Sequence, residues 1–571
     1  MGRLSSSLSD PDSLPSRAAA AGDRVVTAFA KGADAIEDRI GNPTHVSGES
    51  IAIDTRALAA FRVFMGLLLV GDVISRSRNF SFYYTDDGVL SAELSQRLTS
   101  DGAFSVFYYT TDPTVMAGIF VATAIAGLVF AAGYRTRVMS IVVFLLVISF
   151  DHQNPLVTSY ADLLYRLLLF WAIFLPLGER WSVDAVLAAD ADAPDSAGDP
   201  DGDATGWTPR RTVAGLASAA ILTQMMTMYV VNGVHKAQSE MWGTTDVAPL
   251  VLGIDEMTFL LGDFMRNFPT LLGYGGVLWY YMMLTAWALV LLRGKARTAF
   301  VGLFVGGHLS FAITVRIGAF AYVALAGLLL FLPPSFWDAT ERYGRSAFDR
   351  IPTGLSPPWS GEDVRRAVTR LPDPRVQNAA VDRGIRVAFT MVLMIAVIAV
   401  LIVPAVGLAP VADDVDGTHE RVDATVDALS IDQPAWSVFA PSPRTSDRYY
   451  VVAGVTEDGE EYDLFNQREL SYERPYDELQ KQHGTYRERF YMNSVRSRGD
   501  GDAVADAFAA HLCGPVAEEM GVEVTHLQMF YATEEITMDT LDDHESRERN
   551  FVRFYQGGCG DDPPGDVTLP P

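Results

Sequence analysis

Long apolar runs dominate the pattern of hydrophobic and polar positions between residues 57 and 408. Most of these runs have about 17 to 25 residues, the length of helix that crosses roughly 30 Å of hydrocarbon. They predict nine membrane-spanning helices, at residues 57–74, 114–133, 137–150, 161–178, 211–232, 269–292, 298–315, 317–333 and 386–408. The third is short, and the seventh and eighth meet almost without a loop. One crossing more or fewer would invert the C-terminal region.

Period-two alternation replaces the long apolar runs near the C-terminus. Residues 447–465 alternate apolar and polar positions on both sides of an Asp-Gly turn, which predicts a β-hairpin. Residues 502–520 predict an amphipathic helix, and residues 522–533 and 550–556 predict further strands. The expected fold class is therefore an all-α polytopic membrane bundle with a small C-terminal α+β domain outside the membrane.

Composition divides the chain into three parts. Residues 1–50 are rich in Ser, Ala, Gly and Asp and predict a disordered tail with one short amphipathic helix, without the apolar segment of a secretory signal. Residues 51–408 are the predicted transmembrane domain, with an acidic solvated loop at 186–207 and an Arg-rich loop at 334–385. The acidic loop lacks the spacing of a calcium-binding loop, and no metal site is predicted. Residues 409–571 are the predicted C-terminal domain.

Basic residues in the short loops indicate the orientation. The loops on one face contain Arg135, Arg137, Arg180, Arg210, Arg211, Arg293, Lys295 and Arg297. The connection at 151–160 on the other face has no Lys or Arg, although a few basic residues elsewhere on that face weaken the asymmetry. The positive-inside rule therefore predicts a multi-pass protein of the cell membrane, with a cytoplasmic N-terminus and an extracytoplasmic C-terminal domain.

Net charge and hydropathy together are typical of a membrane protein with acidic aqueous parts. The chain has a formal net charge of −26, a mean hydropathy of +0.15 and only four lysines. A large acidic excess with few lysines resembles the proteins of salt-adapted archaea, whose charged surfaces stay soluble in concentrated salt. This composition argues against a nucleic-acid partner.

One of the four lysines, Lys236, follows His235 at the end of the fifth predicted span, where the helix meets water. Lysine, unlike arginine, can lose its proton when it is removed from solvent, so a sheltered Lys236 is a candidate base. The alternative is structural, because lysines at span ends often extend to the interface and do nothing else. Composition and position alone favour this structural alternative.

Other polar residues fall inside the predicted spans. Asp162 and Arg166 lie four apart on one helical face, which predicts a local ion pair. Arg62 and Asp72 are ten residues apart in the first span, so each needs a partner from another helix, and a functional and a structural role are equally open. His308 has glycine neighbours that permit close helix packing, and taken alone it is interpreted as structural.

Both cysteines, Cys513 and Cys559, lie in the C-terminal domain. If that domain faces outward, an oxidising environment would allow them to form a disulfide that closes a long loop. Two free buried thiols are the alternative.

The segment Gly233-Val-His-Lys236, followed by Glu240 and Trp242, resembles the membrane segment of vitamin K-dependent γ-glutamyl carboxylases, where a Gly-Val-Lys-Lys sequence carries the catalytic lysine. Further similar pieces follow the family's order along the chain: Ser159-Tyr160, Arg180-Trp-Ser-Val-Asp184, and His308 with Ile317-Gly-Ala-Phe320. Other segments resemble the microbial branch of this family, the horizontally transferred transmembrane (HTTM) domain proteins. They are Asp54-Thr-Arg-Ala57, Phe61-Arg-Val-Phe-Met-Gly66, Tyr83-Tyr-Thr-Asp-Asp-Gly88 and Trp436-Ser-Val-Phe-Ala-Pro441. The resemblance covers about residues 50–470.

This resemblance implies a membrane enzyme that oxidises a reduced naphthoquinone, a menaquinol or vitamin K-type quinol, with O2. The base so generated removes a γ-proton from glutamate before CO2 adds. Lys236 would deprotonate the quinol, with His235 beside it. The expected residues of the quinone or substrate pocket are His308, Arg62, Asp72, Trp242, Thr158 and Tyr160. Membrane lipid, quinol, O2 and CO2 are the expected partners.

Departures from the family bear on this expectation. Thr158 stands where the carboxylases have a catalytic histidine, His235 replaces the first lysine of the pair, and the substrate-docking region has no counterpart. Quinol chemistry is therefore better supported than carboxylation of a peptide. The alternative function is a non-catalytic membrane anchor or partner-binding protein that presents the C-terminal domain. A transporter would show internal repeats, and a histidine-box oxygenase would show closely spaced histidines; the sequence has neither pattern.

Overall fold

The computed structural model describes residues 48–86, 88–100, 102–191, 209–348, 366–372, 379–402, 426, 431–498 and 501–571. The predicted N-terminal tail up to residue 47, most of the acidic loop and part of the Arg-rich loop lie outside these residues. Within them the chain is mostly helical and ends in a β-sheet domain. This arrangement confirms the predicted fold class in outline.

The helices labelled α1 to α9 form the bundle. They lie at Thr55–Ser77, Pro113–Ala132, Thr136–Gln153, Tyr160–Ala172, Leu216–Lys236, Pro269–Leu284, Gly294–Thr314, Phe320–Leu329 and Ala379–Ala396. Further helical segments lie at Gly48–Ile51, Phe80–Tyr84, Ala92–Arg97, Val106–Tyr109, Pro155–Val157, Val183–Ala191, Glu240–Gly243, Val247–Leu252, Gly262–Arg266, Ala288–Leu291, Pro334–Phe348 and Val397–Ile402. Helix α1 packs against α2 and α8, α4 against α3, α5 and α8, and α5 also against α6.

Five helical segments of the described chain are long and apolar enough to cross a membrane. They are Thr55–Ser77, Pro113–Ala132, Thr136–Gln153, Gly294–Thr314 and Gly384–Ile402. Phe320–Leu329 and Pro334–Gly344 meet the same test only together, and they are bent by 100°. The predicted nine crossings are thus not confirmed. Helix α4 illustrates the reason, because its 13 residues extend about 20 Å, less than the hydrocarbon thickness.

Local sequence explains how α1 begins and why it packs closely on α2. Asp54 caps α1 by accepting a hydrogen bond from the Arg56 amide at 2.8 Å. Halfway along, Gly66 faces Gly127, and a Cβ at Gly66 would lie 2.6 Å from the Gly127 carbonyl oxygen. Small residues therefore allow the two helix backbones to approach closely, as is common between membrane helices.

The C-terminal domain is a five-stranded antiparallel sheet covered by helices. Its strands β1 to β5 lie at Ser446–Thr456, Glu461–Asp463, Arg468–Glu469, Val524–Glu535 and Arg549–Gly558, in the order β3-β2-β1-β4-β5. Helices α10 and α11, at Tyr486–Arg496 and Ala503–His511, pack on one face. The predicted hairpin and the two later strands are confirmed. Helix α10 was not predicted from the sequence. Cys513 and Cys559 form a disulfide in this domain, with their Cα atoms 5.6 Å apart.

A set of buried charges joins α10 to the bundle, and we name it the interdomain ion cluster. Its members are Asp72, Arg76, Asp151, Asp162, Arg166 and Arg487. Arg487 of α10 inserts between the bundle carboxylates of Asp72 and Asp162. Asp162 therefore pairs with Arg76 and Arg487 rather than with the predicted Arg166, which lies 2.7 Å from Asp151. The sequence missed this arrangement because Arg487 is 325 residues away from Asp162.

Candidate functional site

A cavity of about 390 Å³ lies between α5, α6 and α7. Its walls are mainly apolar side chains, and the segment from Trp436 to Phe439 closes one end. Leu271 and Leu278 of α6 and Leu303 of α7 line the cavity, yet 63%, 52% and 49% of their surfaces are exposed. The cavity is therefore open between α6 and α7, towards the outer surface of the bundle.

Lys236, the last residue of α5, reaches the closed end of this cavity. Only 2% of the residue is exposed, and Nζ donates hydrogen bonds to the carbonyl oxygens of Val438 at 2.8 Å and Phe439 at 3.1 Å. Nζ also lies 3.4 Å from the centre of the Trp242 ring, a cation–π contact. Lys236 lies outside both the predicted spans and the five apolar segments. Burial lowers the pKa of its amine to about 6.

Hydrogen bonds from α5 hold the chain segment that faces the amine. Asn232 lies one turn before Lys236 on the same helical face. Its amide donates to the carbonyl oxygens of Trp436 at 2.6 Å and Val438 at 3.0 Å. The Trp242 indole N–H donates to the Pro441 carbonyl oxygen at 2.8 Å. These bonds fix the segment so that two of its carbonyl groups point at Lys236.

A second polar group of the cavity is the hydroxyl of Tyr229, about two turns before Lys236 on α5. It lies 2.7 Å from Nε2 of His308 on α7. His308 is fully buried behind the cavity wall, with its ring centre 5.2 Å from that of Trp279. Among the described residues, Nδ1 of His308 has no hydrogen-bond partner. His308 therefore positions Tyr229 and does not itself line the cavity.

Three predicted site residues near the same end of the bundle do not reach the cavity. His235 is half-buried and lies outside the cavity lining, because adjacent helical residues point about 100° apart. Thr158 donates to the Pro155 carbonyl oxygen at 2.8 Å, which closes a local turn. Tyr160 lies behind the cavity wall, with its ring centre 5.8 Å from that of Trp436. No contact with the cavity supports the catalytic role predicted for His235 or the pocket role predicted for Thr158, whereas Tyr160 packs against Trp436, a residue that lines the cavity.

Arg62 and Asp72 also lie away from the cavity, and each has structural partners. The Arg62 guanidinium donates to main-chain carbonyl oxygens, including those of Ala131 at 3.2 Å and Leu177 at 2.6 Å. Asp72 belongs to the interdomain ion cluster, where it lies 2.7 Å from Arg76. The structure therefore favours the structural alternative for both residues.

Sequence reasoning missed Asn232 and the carbonyl groups of Val438 and Phe439. The position of Asn232, one turn before Lys236, was a usable signal, since residues four apart share a helical face. The carbonyl groups carried no such signal, because any residue type supplies one. Their approach to Lys236 spans 202 and 203 residues of chain.

These features are those of a mostly helical protein with several candidate membrane spans, a C-terminal sheet domain and a laterally open apolar cavity. Comparison with protein-family models, with curated proteins and with solved structures gives no match.

Proposed function

We propose that this chain is a membrane enzyme that acts on a reduced naphthoquinone of the menaquinol or vitamin K type, with Lys236 as the base. The motif resemblance to vitamin K-dependent carboxylases and HTTM domain proteins suggests the chemistry. One observation carries the proposal. The buried amine of Lys236 lies at the closed end of an apolar cavity, and this amine forms no ion pair with a carboxylate of the described residues. When bound, such a quinol would supply, through its oxidation by O2, the strong base needed to remove a proton from carbon before CO2 adds.

The residues of the cavity fit a molecule of this class. Apolar walls suit a fused aromatic ring and an apolar tail. The opening between α6 and α7 would admit a lipid-soluble ligand from the membrane. Tyr229, Asn232 and Lys236 are polar side chains of α5 that line the cavity, and they would face the oxygen atoms of the ring.

The environment of Lys236 suits a group that accepts and holds a proton. With a pKa of about 6, the amine is mostly uncharged at neutral pH, and its lone pair can accept a proton from a ligand hydroxyl. The carbonyl oxygens of Val438 and Phe439 would then stabilise the ammonium formed. The face of the Trp242 ring stabilises the same charge and excludes water.

The non-catalytic anchor remains a second candidate, because the same contacts have a structural use. Lys236 holds the segment that leads into β1, and Arg487 holds α10, so both fasten the C-terminal domain to the bundle. In this alternative, loss of the amine weakens the attachment and no quinol reacts.

Nine crossings, a cytoplasmic N-terminus and an extracytoplasmic C-terminal domain form part of the proposal. The basic residues of the loops support that orientation. Cysteine accessibility at an introduced Ser442→Cys in intact cells would test it, since Ser442 is exposed and lies just before β1.

The decisive experiment incubates purified protein with menaquinol, O2 and CO2 and measures quinone epoxide. We expect the parent to form epoxide, and Lys236→Met to lose roughly 10²-fold or more of the rate, which is the usual contribution of a positioned base. Lys295→Met is the matched control, because Lys295 is exposed at the start of α7. Equal epoxide formation by parent and Lys236→Met would contradict the proposed role. A parent that neither binds nor oxidises menaquinol would favour the anchor.

A further inference from the structure

The two faces of the C-terminal sheet neutralise their arginines differently. On the face away from α10, Arg547 lies 2.7 Å from Asp447 and Arg549 lies 3.1 Å from Glu534. A different set of arginines lies where the other face packs on α10, and we name it the arginine cluster. Its members are Arg444, Arg448, Arg489 and Arg496.

Two members of the arginine cluster converge on one aromatic ring. Arg448 of β1 and Arg496 of α10 lie with their guanidinium carbons 5.5 Å and 5.1 Å from the ring centre of Tyr531 on β4. Arg448 also donates to Oδ1 of Asn493 at 3.2 Å. Both arginines are half-buried, and their Nε atoms have no hydrogen-bond partner among the described residues. The two guanidinium groups are thus held in place, but some of their N–H donors form no hydrogen bond within the described residues.

The arginine cluster has more positive charge than its carboxylates can balance. Glu256 pairs with Arg444, whereas Arg489 donates to the Arg316 carbonyl oxygen at 3.1 Å. Within the described residues, Arg448, Arg489 and Arg496 have no carboxylate oxygen within 4 Å. Burial, together with the neighbouring Arg444 and Arg496, lowers the pKa of Arg448.

An unbalanced group of arginines is unexpected in this chain. It has 70 acidic residues against 44 basic ones, so carboxylate partners are abundant in the sequence. Buried and half-buried like charges without counterions destabilise a fold, and a bound anion would supply the missing charge. Guanidinium groups bind planar and tetrahedral oxyanions with paired N–H donors, and stacking on an aromatic ring orients those donors.

We propose that the arginine cluster binds an oxyanion of the phosphate class, either free phosphate or the phosphate of a lipid headgroup. The headgroup is a reasonable source because the cluster lies close to the end of the bundle. Ser494, two residues before Arg496, donates to the Leu156 carbonyl oxygen at 3.1 Å, in the connection between α3 and α4. This site is separate from the Lys236 cavity and does not depend on the proposed function.

The test measures thermal unfolding of the full-length protein in detergent with increasing inorganic phosphate, and in a second arm with phosphatidic acid added to a phosphate-free glycolipid. We expect one of the two to raise the Tm of the parent in a saturable way. In Arg448→Gln/Arg496→Gln the apparent affinity should fall roughly tenfold or more, because charge-assisted hydrogen bonds are lost. Arg553→Gln, on the exposed part of β5, is the matched control and should bind like the parent.

A stability readout without phosphate separates this site from a purely structural one. If the arginines serve a ligand, the double Gln variant should melt at the same temperature as the parent or higher, since repulsion is relieved. Arg448→Lys/Arg496→Lys keeps the charge but loses the fork of donors, and it should bind more weakly than the parent. Saturation by phosphatidic acid alone identifies the headgroup, and saturation by inorganic phosphate identifies a soluble anion. Equal shifts in parent and double Gln variant, or no shift of the parent with either probe, would overturn the proposal.

Discussion

Two buried cationic regions at the junction of bundle and C-terminal domain are built in opposite ways. In the interdomain ion cluster, the guanidinium groups of Arg76 and Arg487 meet the carboxylates of Asp72 and Asp162. At the cavity, the Lys236 amine meets two carbonyl oxygens and an aromatic face. The first, balanced region neutralises its charges within the protein, whereas in the second, unbalanced region the amine has no carboxylate partner among the described residues and lies beside the cavity.

This difference distinguishes charged groups that attach two parts of the protein from a group that can take part in proton transfer. A buried arginine stays charged, so balancing carboxylates make it a fixed connection between elements. A buried lysine without a carboxylate can instead become neutral, and a cavity next to it offers room for a proton donor. The same distinction explains why charge inside the predicted spans did not locate the cavity, since Arg62 and Asp72 both have structural partners.

The largest effect is expected from breaking the balanced region. Arg487→Met would leave Asp72 and Asp162 short of a partner and should lower stability by about 3–5 kcal/mol, as removal of one member of a buried ion pair does. Thermal unfolding in detergent measures the change. Arg498→Met is the control, because Arg498 is partly exposed and lies 3.8 Å from Asp502, so its loss should cost under about 1 kcal/mol. Similar melting of both variants would remove the distinction between the two regions.

The unbalanced region should respond in the opposite direction. The pKa of Lys236 is about 6 in the folded protein and near 10.5 when unfolded, so the unfolded chain binds more protons between these values. The stability of the parent therefore rises with pH across this window, and Lys236→Met should lack that rise. Near pH 7 the variant no longer carries the cost of deprotonating a buried lysine, but it also loses the two hydrogen bonds of the amine. We therefore expect it to be about 1–3 kcal/mol more stable than the parent near pH 7, and this gain should vanish towards pH 10. If the variant is less stable than the parent at every pH, Lys236 has mainly a structural role in attaching the C-terminal domain.

A smaller effect is expected at the cavity wall. Tyr229→Phe removes the hydroxyl that meets Nε2 of His308 and leaves this buried nitrogen without its partner. The expected loss is about 1–2 kcal/mol in thermal unfolding. Tyr322→Phe, at an exposed tyrosine on α8, should change stability little. If the two variants melt alike, the Tyr229–His308 contact does not stabilise the wall.

The smallest effect concerns His483, a buried histidine beside Glu256, Arg316 and Arg489. Burial lowers the pKa of His483 to about 4, below the value near 6.5 of the unfolded chain. The unfolded state therefore binds more protons between these values, and stability falls as pH falls through this window. From pH 6 to pH 5 this residue should account for about 1 kcal/mol. His483→Met should lose less stability than the parent over that step, and an equal loss would exclude His483 as a source.

The sequence predicted the parts of this fold that depend on local pattern. Apolar runs identified the bundle, and the alternation on both sides of an Asp-Gly turn identified the hairpin of β1 and β2. Helix α10 was not predicted because its segment is rich in arginine and its few apolar residues are buried by packing against the sheet. The number of crossings was not predicted reliably, because hydropathy does not report where a helix ends. Helix α4, for example, ends at Ala172, whereas the apolar run continues to residue 178.

The candidate site was predictable only in part. Lysine scarcity and position at the end of α5 singled out Lys236, and the motif resemblance added Trp242, which lines the cavity with it. The adjacent His235, predicted as a catalytic residue, lies outside the cavity lining because sequence neighbours on a helix face different directions. The carbonyl groups of Val438 and Phe439 depend on long-range folding, and no local pattern predicts which main-chain groups will meet an amine.

The most direct test is an NMR titration of the Lys236 side-chain amine in detergent-solubilised protein. Since the chain has four lysines, replacing Lys31, Lys295 and Lys481 by arginine leaves one labelled amine to follow. A sheltered amine beside the cavity should titrate with a pKa of about 6. Titration near 10.5, the ordinary value for lysine, would show that the amine stays charged and would contradict its role as a base.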